Sequence, residues 1–318
     1  MPVKDAALYL ADCIESILEQ TYSNWELIAV DDHSVDTSLE VLTRFEKEDE
    51  RITILKSKGK GIVDAISQAF DCSNGELIHR MDADDLMPSE KLEILVKTLN
   101  GREGVIATGN VKYFSNGPVS EGYLSYEKWI NNIDNYKAEV YRECTIASPN
   151  WLVHRSCFEN DILLSALEYP EDYDLVLKWY AYGYEVVKCD DETHMWREHP
   201  ERTSRNSNTY QQESFFKLKL KHFCINELEQ DSQVQIIGAG KKGKLTKAIL
   251  RELDVRHKCF DMNSDRISSN IDLFHISELT SNQYALLTNW PTDQSLRYQI
   301  ENFMTKKGFK RGENFWIL

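Results

Sequence analysis

Short apolar runs alternate with amphipathic segments over the first 81 residues, and this alternation restricts the fold more than any other feature of the sequence. The apolar runs have the length of buried strands; they are Trp25–Val30, Ile52–Leu55 and Glu76–Met81. The amphipathic segments have helical spacing; they are Ala6–Gln20, Ser38–Glu46 and Ile62–Phe70. Such an alternation predicts an α/β fold with a mainly parallel sheet and helices on both faces.

A second domain is predicted after the charged run Glu227–Asp231. There the apolar run Gln233–Ile237 leads into a glycine-rich turn and the helical segment Lys244–Leu253, which is the start of a βαβ unit. We therefore expect a first domain over residues 1–205, a helical linker over 206–231 and a small Rossmann-like α/β domain over 232–318.

Charge and cysteine usage exclude several classes of protein. The net charge of −15 disfavours nucleic acid as a partner, because a polyphosphate backbone would be repelled. The seven cysteines are scattered without a C-x-x-C pair, which fits a reducing cytoplasm. Since no run of about 18 apolar residues exists, we expect at most peripheral membrane contact, with the inner face of the membrane as an alternative location.

Carboxylates follow two of the predicted strands. Asp31 and Asp32 follow the first apolar run, and the acidic motif Asp82-Ala-Asp84-Asp85 follows the third. Ligands bind at the carboxyl edge of such sheets, and clustered carboxylates suit Mg²⁺ or Mn²⁺ together with substrate phosphates. Capping of the next helix by Ser34 and Asp36, and a solvated acidic turn at Asp82–Asp85, are the alternative interpretations.

Three further groups of residues are candidates for chemistry. Asp172 lies in an acidic helix start, where it could act as a general base or merely favour the helix dipole. His199, Arg197 and Arg202 could meet a departing phosphate or a metal, or could simply be solvated. Lys56, Lys58 and Lys60 form a small basic patch that is equally ambiguous.

The motifs together resemble glycosyltransferase family 2 in order and spacing. The segments that carry the resemblance are Met1–Asp5, Ile17–Tyr22, Trp25–Asp32, Gly75–Asp85 and Glu171–Leu175. The resemblance covers residues 1–205 and implies the GT-A nucleotide-diphospho-sugar transferase fold. It implies a nucleotide half over residues 1–105 and an acceptor half over 106–205.

The resemblance also implies roles for individual residues. Asp32 would contact the nucleotide base, and Asp172 would activate an acceptor hydroxyl for inverting displacement. A divalent cation, Mn²⁺ or Mg²⁺, would be held by Asp82, Asp84 and His199. The expected nucleotide-sugar-binding residues are Pro2, Asp5, Asp32, Lys60, Asp82, Asp84, Asp85 and Arg202.

The sequence departs from the family pattern in three places. Lys4 and Asp5 stand where the family often has Tyr-Asn, and His33 replaces a common glycine. The family's first strand normally begins several residues before the position of Met1 and Pro2. We therefore expect the true start of the protein to lie upstream.

The C-terminal segments Ile236–Lys244 and Gly308–Trp316 resemble a small Rossmann-like module that follows some family 2 transferases. A phosphate or an NAD-type dinucleotide could bind there through Gly238, Gly240, Gly243 and Asp261. A single G-x-G-x-x-G motif is a weak signal, so a structural, partner-docking or homodimer-forming role is the favoured interpretation.

The expected function is inverting transfer of a sugar from a nucleotide-diphosphate sugar, first of all a UDP-sugar, to an acceptor hydroxyl. The acceptor would be a saccharide or glycolipid in surface polysaccharide or glycolipid synthesis. A sugar-nucleotide pyrophosphorylase is disfavoured, because no glycine- and arginine-rich loop occurs near the start of the sequence. An NAD-linked enzyme and a sugar-nucleotide-binding scaffold remain as alternatives.

Overall fold

A computed structural model describes residues 1–158, 170–202, 211–268 and 272–318 of the 318-residue chain. Its strands are β1 Pro2–Val3, β2 Leu27–Asp31, β3 Ile52–Lys56, β4 Leu77–His79, β5 Val105–Phe114, β6 Trp151–His154, β7 Glu185–Arg197, β8 Gln233–Ile237, β9 Arg256–Asp261, β10 Leu273–His275, β11 Tyr284–Leu287 and β12 Phe315–Ile317. Its α-helices are α1 Ala7–Leu18, α2 Ser38–Glu48, α3 Ile62–Cys72, α4 Lys91–Leu99, α5 Glu121–Asn131, α6 Tyr136–Glu139, α7 Glu171–Ala181, α8 Gln212–Asn226, α9 Lys241–Glu252, α10 Ser264–Ser268 and α11 Gln294–Lys306.

The chain divides into two compact units. The first comprises residues 1–133 and 146–206, and the second comprises residues 134–145 and 207–318. Mainly parallel sheets with helices occur in both, which confirms the α/β fold predicted from the sequence. No helix in the described ranges is both long and apolar enough to cross a bilayer.

The first unit contains two sheets. Strands β1, β2 and β3 form a parallel sheet in that order, and every residue of β2 is buried because both of its faces are covered. The second sheet has the order β4-β6-β5-β7, with β6 antiparallel to both neighbours. Helix α1 contributes Leu10, Cys13 and Ile14 to the core shared with β2, because these residues lie on one helical face.

Strand β7 carries the chain to the place where the acidic motif lies. It pairs in parallel with β5 along most of its length, with register shifts around Asn110. Near its end, Met195 forms an antiparallel bridge with Leu86, and each residue donates its amide to the carbonyl of the other at 3.1 and 3.0 Å. The loop after β4 is thereby held against the end of β7.

The second unit is built on a five-stranded parallel sheet in the order β10-β9-β8-β11-β12. The first strand of this unit in sequence is therefore at the centre, as in Rossmann-type sheets. Between β8 and α9 the chain turns through Gly238, whose φ is +107°. A Cβ on Gly243 would lie 1.8 Å from the Gly238 carbonyl oxygen, so close helix–strand packing requires glycine there.

The boundaries between the units differ from the predicted ones. Residues 134–145 were expected in the first domain, but they belong to the second unit, where the buried Tyr141 packs against Phe223 and Trp316. Helix α8 was expected to be a linker, but it buries Phe216 and Phe223 in the same unit. Burial of these large aromatic side chains removes more apolar surface from water than an exposed linker could.

Candidate active site

Asp32 follows β2 and connects the end of that strand to the start of α3. Both of its carboxylate oxygens accept a hydrogen bond from the amide of Gly61, at 3.1 and 3.0 Å. The side chain is nearly buried, and the ammonium of Lys4 lies 3.7 Å from Oδ2. The sequence prediction that Asp32 lies at the carboxyl edge of the sheet therefore agrees with the geometry.

Two residues that depart from the family pattern both have a left-handed backbone. Asp5 has a φ of 48° and His33 a φ of 58°, a region that favours Asn and Gly. Each compensates with a side-chain contact: Asp5 Oδ1 accepts the amide of Val35 at 2.7 Å, and His33 Nε2 lies 2.8 Å from the Gly59 carbonyl oxygen. These side chains hold the loops around the site.

Pro2 and Lys60 were also predicted to bind the nucleotide sugar. Pro2 lies in β1 opposite Val30. Lys60 is exposed, and its amide donates to Asp64 Oδ2 at 2.8 Å. These positions leave the predicted contact of Pro2 and Lys60 with a nucleotide as a prediction.

The three carboxylates of the acidic motif face three different partners. Asp82 Oδ1 accepts from Arg80 Nε at 3.0 Å, and Asp84 Oδ2 lies 2.8 Å from His199 Nε2. Asp85 turns into the interior and is 1% exposed. The structure thus separates three residues that the sequence presents as one cluster.

Asp84 and His199 form a strongly polarised pair. Burial alone would raise the pKa of Asp84, but the hydrogen bond with His199 and the charge of Arg202 lower it below its ordinary value. The same hydrogen bond raises the pKa of His199. The imidazole also packs against the Tyr9 ring, with 4.4 Å between centroids, and its Nδ1 lies 3.2 Å from Glu201 Oε2. The ring is therefore held in place on two sides.

The spacing of this pair suits a divalent cation, which would replace the hydrogen between His199 Nε2 and Asp84 Oδ2. Two adjacent ligands of an octahedral ion at about 2.1 Å are about 3 Å apart, close to the 2.8 Å between Asp84 Oδ2 and His199 Nε2. The predicted third ligand is not beside them, because Asp82 turns to the nearly buried guanidinium of Arg80. Within the described ranges, no group of three or more His, Cys, Asp or Glu side chains is arranged to hold a metal. Phosphate oxygens would have to complete the coordination.

Positive charge lies next to the acidic motif. Arg197 donates from Nε to the Asp84 carbonyl oxygen at 2.7 Å and from Nη2 to Asp12 Oδ2 at 3.3 Å. Arg202, predicted from the sequence, lies over the ring of Trp196, 5.1 Å from its centroid. Arg197 belongs to the same sequence segment as His199 and Arg202, whose two cationic side chains were candidates to contact a phosphate or a metal.

A buried chain of polar groups continues from Asp85. Asp85 Oδ2 lies 3.0 Å from His194 Nε2, and His194 Nδ1 lies 3.1 Å from Lys91 Nζ. Burial holds the pKa of His194 well below its ordinary value and lowers the pKa of Lys91 to about 7. Asp85 was predicted to bind the nucleotide sugar; its two oxygens contact His194 Nε2 and the Arg197 amide, and the contact with the nucleotide sugar stays a prediction. No local signal pointed to His194 or Lys91.

Asp172 lies in the first turn of α7. Its Oδ1 accepts the amide of Tyr173 at 2.8 Å, and the side chain is half-buried. Burial and the neighbouring charge of Glu171 raise the pKa of Asp172 to about 7, while Arg80 opposes the increase. A carboxyl with this pKa can accept a proton near neutral pH.

Arg80 links Glu171, which precedes Asp172, to the acidic motif. Its guanidinium donates to Asp82 Oδ1 at 3.0 Å and to Glu171 Oε1 at 3.2 Å, and both Arg80 and Glu171 are buried. The ion pairs therefore bring the first turn of α7 to the acidic motif. Arg80 was not predicted, because an arginine at a strand end carries no distinctive pattern.

The glycine-rich turn of the second unit has its own carboxylate. Asp261 Oδ2 accepts the amide of Ala239 at 2.8 Å, and Oδ1 accepts the amide of Asn263 at 2.9 Å. Oδ2 thus holds the glycine-rich turn between Gly238 and Gly240, and Oδ1 holds the turn that follows β9. Binding of a dinucleotide through Asp261 stays a prediction.

The fold of the first unit and the carboxylates at its strand ends define a glycosyltransferase of the GT-A class. The sequence profile of "Glycosyl transferase family 2" matches residues 1–161, and the chain belongs to that family of transferase enzymes. The predicted family resemblance is thereby confirmed.

Two curated relatives illustrate the similarity. An uncharacterised glycosyltransferase of Haemophilus influenzae is 26% identical over 282 residues, which covers 78% of this chain and 82% of the relative. The Escherichia coli UDP-Glc:α-D-GlcNAc-diphosphoundecaprenol β-1,3-glucosyltransferase WfgD is 29% identical over 183 residues, covering 56% of this chain and 66% of WfgD.

Two solved structures share the GT-A fold. Staphylococcus aureus TarS 1–349 in complex with UDP-GlcNAc has a TM-score of 0.58 at 14% identity, covering 80% of this chain and 72% of TarS. The mannosyltransferase PcManGT from Pyrobaculum calidifontis, in complex with GDP-Man and Mn²⁺, has a TM-score of 0.53 at 18% identity, covering 72% and 63%. At these identities the likeness establishes the fold.

Proposed function

We propose that this chain transfers a sugar from a nucleotide-diphosphate sugar, first of all a UDP-sugar, to an acceptor hydroxyl with inversion at the anomeric carbon. The observation that carries the proposal is the shared guanidinium of Arg80, which joins Asp82 of the acidic motif to Glu171 beside Asp172. A proton-accepting carboxyl and a group of carboxylates suited to a cation and a diphosphate thus belong to one ion-paired cluster.

Asp84 and His199 are the residues that would hold the divalent cation, Mn²⁺ or Mg²⁺. A bound cation neutralises charge on the departing diphosphate. Arg197 and Arg202 add fixed positive charge beside Asp84. PcManGT, which has the same fold, was solved with GDP-Man and Mn²⁺, and this supports the proposal for the cation.

Asp172 is proposed as the general base. Its carboxylate would take the proton from the acceptor hydroxyl as that oxygen bonds to the anomeric carbon, while the bond from this carbon to the diphosphate breaks on the opposite side. A single displacement of this kind inverts the configuration. The pKa of about 7 places Asp172 close to the value at which a base is both available and effective at neutral pH.

Asp32 is proposed to contact the nucleotide base. Its position directly after the buried strand β2 supports this role, because ligands bind at the carboxyl edge of such sheets. The acceptor is proposed to be a saccharide or glycolipid of surface polysaccharide synthesis. This part of the proposal is supported by similarity to WfgD, a glucosyltransferase that uses α-D-GlcNAc-diphosphoundecaprenol.

Calorimetric titration with UDP, in the presence and absence of Mn²⁺, tests the proposal. We expect Mn²⁺ to strengthen UDP binding to the unchanged chain and to have little effect on Asp84→Ala. The exposed Asp265 of the second unit provides a matched control, since Asp265→Ala removes the same charge far along the sequence from the acidic motif. Transfer from a panel of UDP- and GDP-sugars, followed by NMR of the anomeric signal, then identifies the sugar donor and the stereochemistry.

Three results would count against the proposal. Equal UDP binding with and without Mn²⁺, repeated with GDP, would remove the cation from the mechanism. Full turnover by Asp172→Asn would rule out Asp172 as the general base. A product with retained anomeric configuration would overturn the inverting mechanism while leaving the nucleotide-sugar donor in place.

A further inference from the structure

Lys91, His194 and Asp85 form a continuous hydrogen-bonded chain inside the first unit. Their exposed fractions are 0%, 0% and 1%, so none of them is a surface charge. Lys91 Nζ donates to the Pro149 carbonyl oxygen at 2.7 Å and lies 3.1 Å from His194 Nδ1. His194 Nε2 in turn lies 3.0 Å from Asp85 Oδ2. The chain thus connects α4 and β7 to the loop of the acidic motif.

The direction of the hydrogen bonds follows from the chemistry of the groups. The Lys91 nitrogen carries the hydrogens for both of its short contacts, so His194 Nδ1 accepts. The imidazole then carries its hydrogen on Nε2 and donates it to Asp85. The other oxygen of Asp85 accepts the amide of Arg197 at 2.8 Å. Each oxygen of Asp85 therefore accepts a hydrogen bond from a group on β7.

The Asp85 end of this hydrogen-bonded chain is connected to Asp84 and His199, the proposed cation-binding pair. Asp85 is adjacent to Asp84, and the amide that Asp85 accepts lies two residues before His199. The backbone bridge between Leu86 and Met195 adds a second connection between the same two segments. Displacement of either segment would change the 2.8 Å separation of Asp84 Oδ2 from His199 Nε2.

We propose that Lys91 and His194 are positioning residues, which act through Asp85 to set the separation of Asp84 from His199. The proposal rests on the proposed function, because that function makes the pair a cation site. Burial of a lysine, a histidine and an aspartate carries a desolvation cost that apolar side chains of similar size would avoid. Groups that orient metal ligands typically change metal affinity by about 10- to 100-fold when removed.

Three variants of the full chain separate positioning from simple packing. His194→Phe fills similar space without a hydrogen-bond donor, whereas His194→Gln keeps an amide that can donate to Asp85. Lys91→Met keeps most of the length of the side chain and removes the hydrogen-bond donor. Leu99→Ala is the matched control, because Leu99 is fully buried on the same helix and packs in an apolar cluster with Leu95 and Val105.

Amide hydrogen exchange tests whether Lys91, His194 and Asp85 hold the two backbone segments in place, independently of any ligand. We expect the amides of Leu86, Met195 and Arg197 to exchange about tenfold faster in His194→Phe. They should remain close to the unchanged chain in His194→Gln and in Leu99→Ala. Unchanged exchange of these amides in His194→Phe would overturn the proposal, whatever the enzyme binds.

Affinity for Mn²⁺ at saturating UDP tests the consequence. We expect a loss of about 10- to 100-fold in His194→Phe and Lys91→Met, recovery in His194→Gln, and no change in Leu99→Ala. Equal losses in His194→Phe and Leu99→Ala would reduce the role to packing and overturn the proposal. Absence of Mn²⁺-dependent UDP binding in the unchanged chain would refute the proposed function instead. The exchange measurement would then still test whether Lys91 and His194 position the two backbone segments.

Discussion

Arg80 and Glu171 form a buried ion pair, with 3.2 Å between Nη1 and Oε1, although 91 residues separate them in the chain. The same guanidinium also donates to Asp82 at 3.0 Å. Glu171 begins the helix that carries Asp172, so a single arginine couples the proposed base to the acidic motif. The charge of Arg80 also opposes the rise in the pKa of Asp172.

Replacement of Asp172 by asparagine should affect the chemical step more than binding. We expect kcat to fall by about 100- to 10,000-fold, the range typical for loss of a general base. UDP affinity in the presence of Mn²⁺ should stay within about twofold, because the acidic motif is unchanged. Steady-state kinetics and calorimetry on the same preparation check both expectations.

Activity should depend on pH through the same carboxyl. Asp172 must be ionised to accept a proton, and its pKa is about 7. The value of kcat/KM should therefore rise with pH, reach half of its maximum near pH 7 and level off about one pH unit higher. A rate that is already constant between pH 5 and pH 8 would contradict this assignment.

Asp172→Asn should also stabilise the folded chain at high pH. The pKa of this carboxyl is higher in the folded chain than in the unfolded chain. It therefore contributes less to the stability of the folded state as the pH rises from the unfolded-state pKa to above about 7. The amide does not ionise, so the variant should melt at a higher temperature than the unchanged chain at pH 8. At pH 4 the two melting temperatures should be nearly equal, and a difference that is independent of pH would point to another cause.

Arg80→Met should move the pH profile in a defined direction. The arginine lowers the pKa of Asp172, so its removal should shift the rising limb of kcat/KM to higher pH. Arg102→Met, which removes a cation from a more exposed ion pair with Glu185, is a suitable control and should leave the profile unchanged. A shift toward lower pH would contradict the proposed coupling.

Gly243→Ala should disrupt the second unit. The new Cβ would lie 1.8 Å from the Gly238 carbonyl oxygen, and the backbone would have to move. We expect a loss of about 1 to 3 kcal/mol in the free energy of unfolding, as found for overpacked positions. Gly240→Ala in the same turn is the control, because nothing lies within 4 Å of its Cβ position. Urea unfolding followed by near-UV circular dichroism distinguishes the two variants.

The sequence alone predicted the α/β class. It also predicted that Asp32 and Asp84 follow strands and that Asp172 lies at the start of a helix. These predictions rest on local periodicity and on short motifs, which a chain displays before it folds. The family match over residues 1–161 and the mainly parallel sheets agree with them.

The tertiary structure decided which groups meet. Asp85 turns inward to His194 across 109 residues, and Asp84 meets His199 across 115. Residues 134–145 join the second unit because the ring of Tyr141 finds its aromatic partners there. No local pattern encodes such pairings, since buried charges and large rings are placed by whichever distant segments can satisfy them once the core has packed.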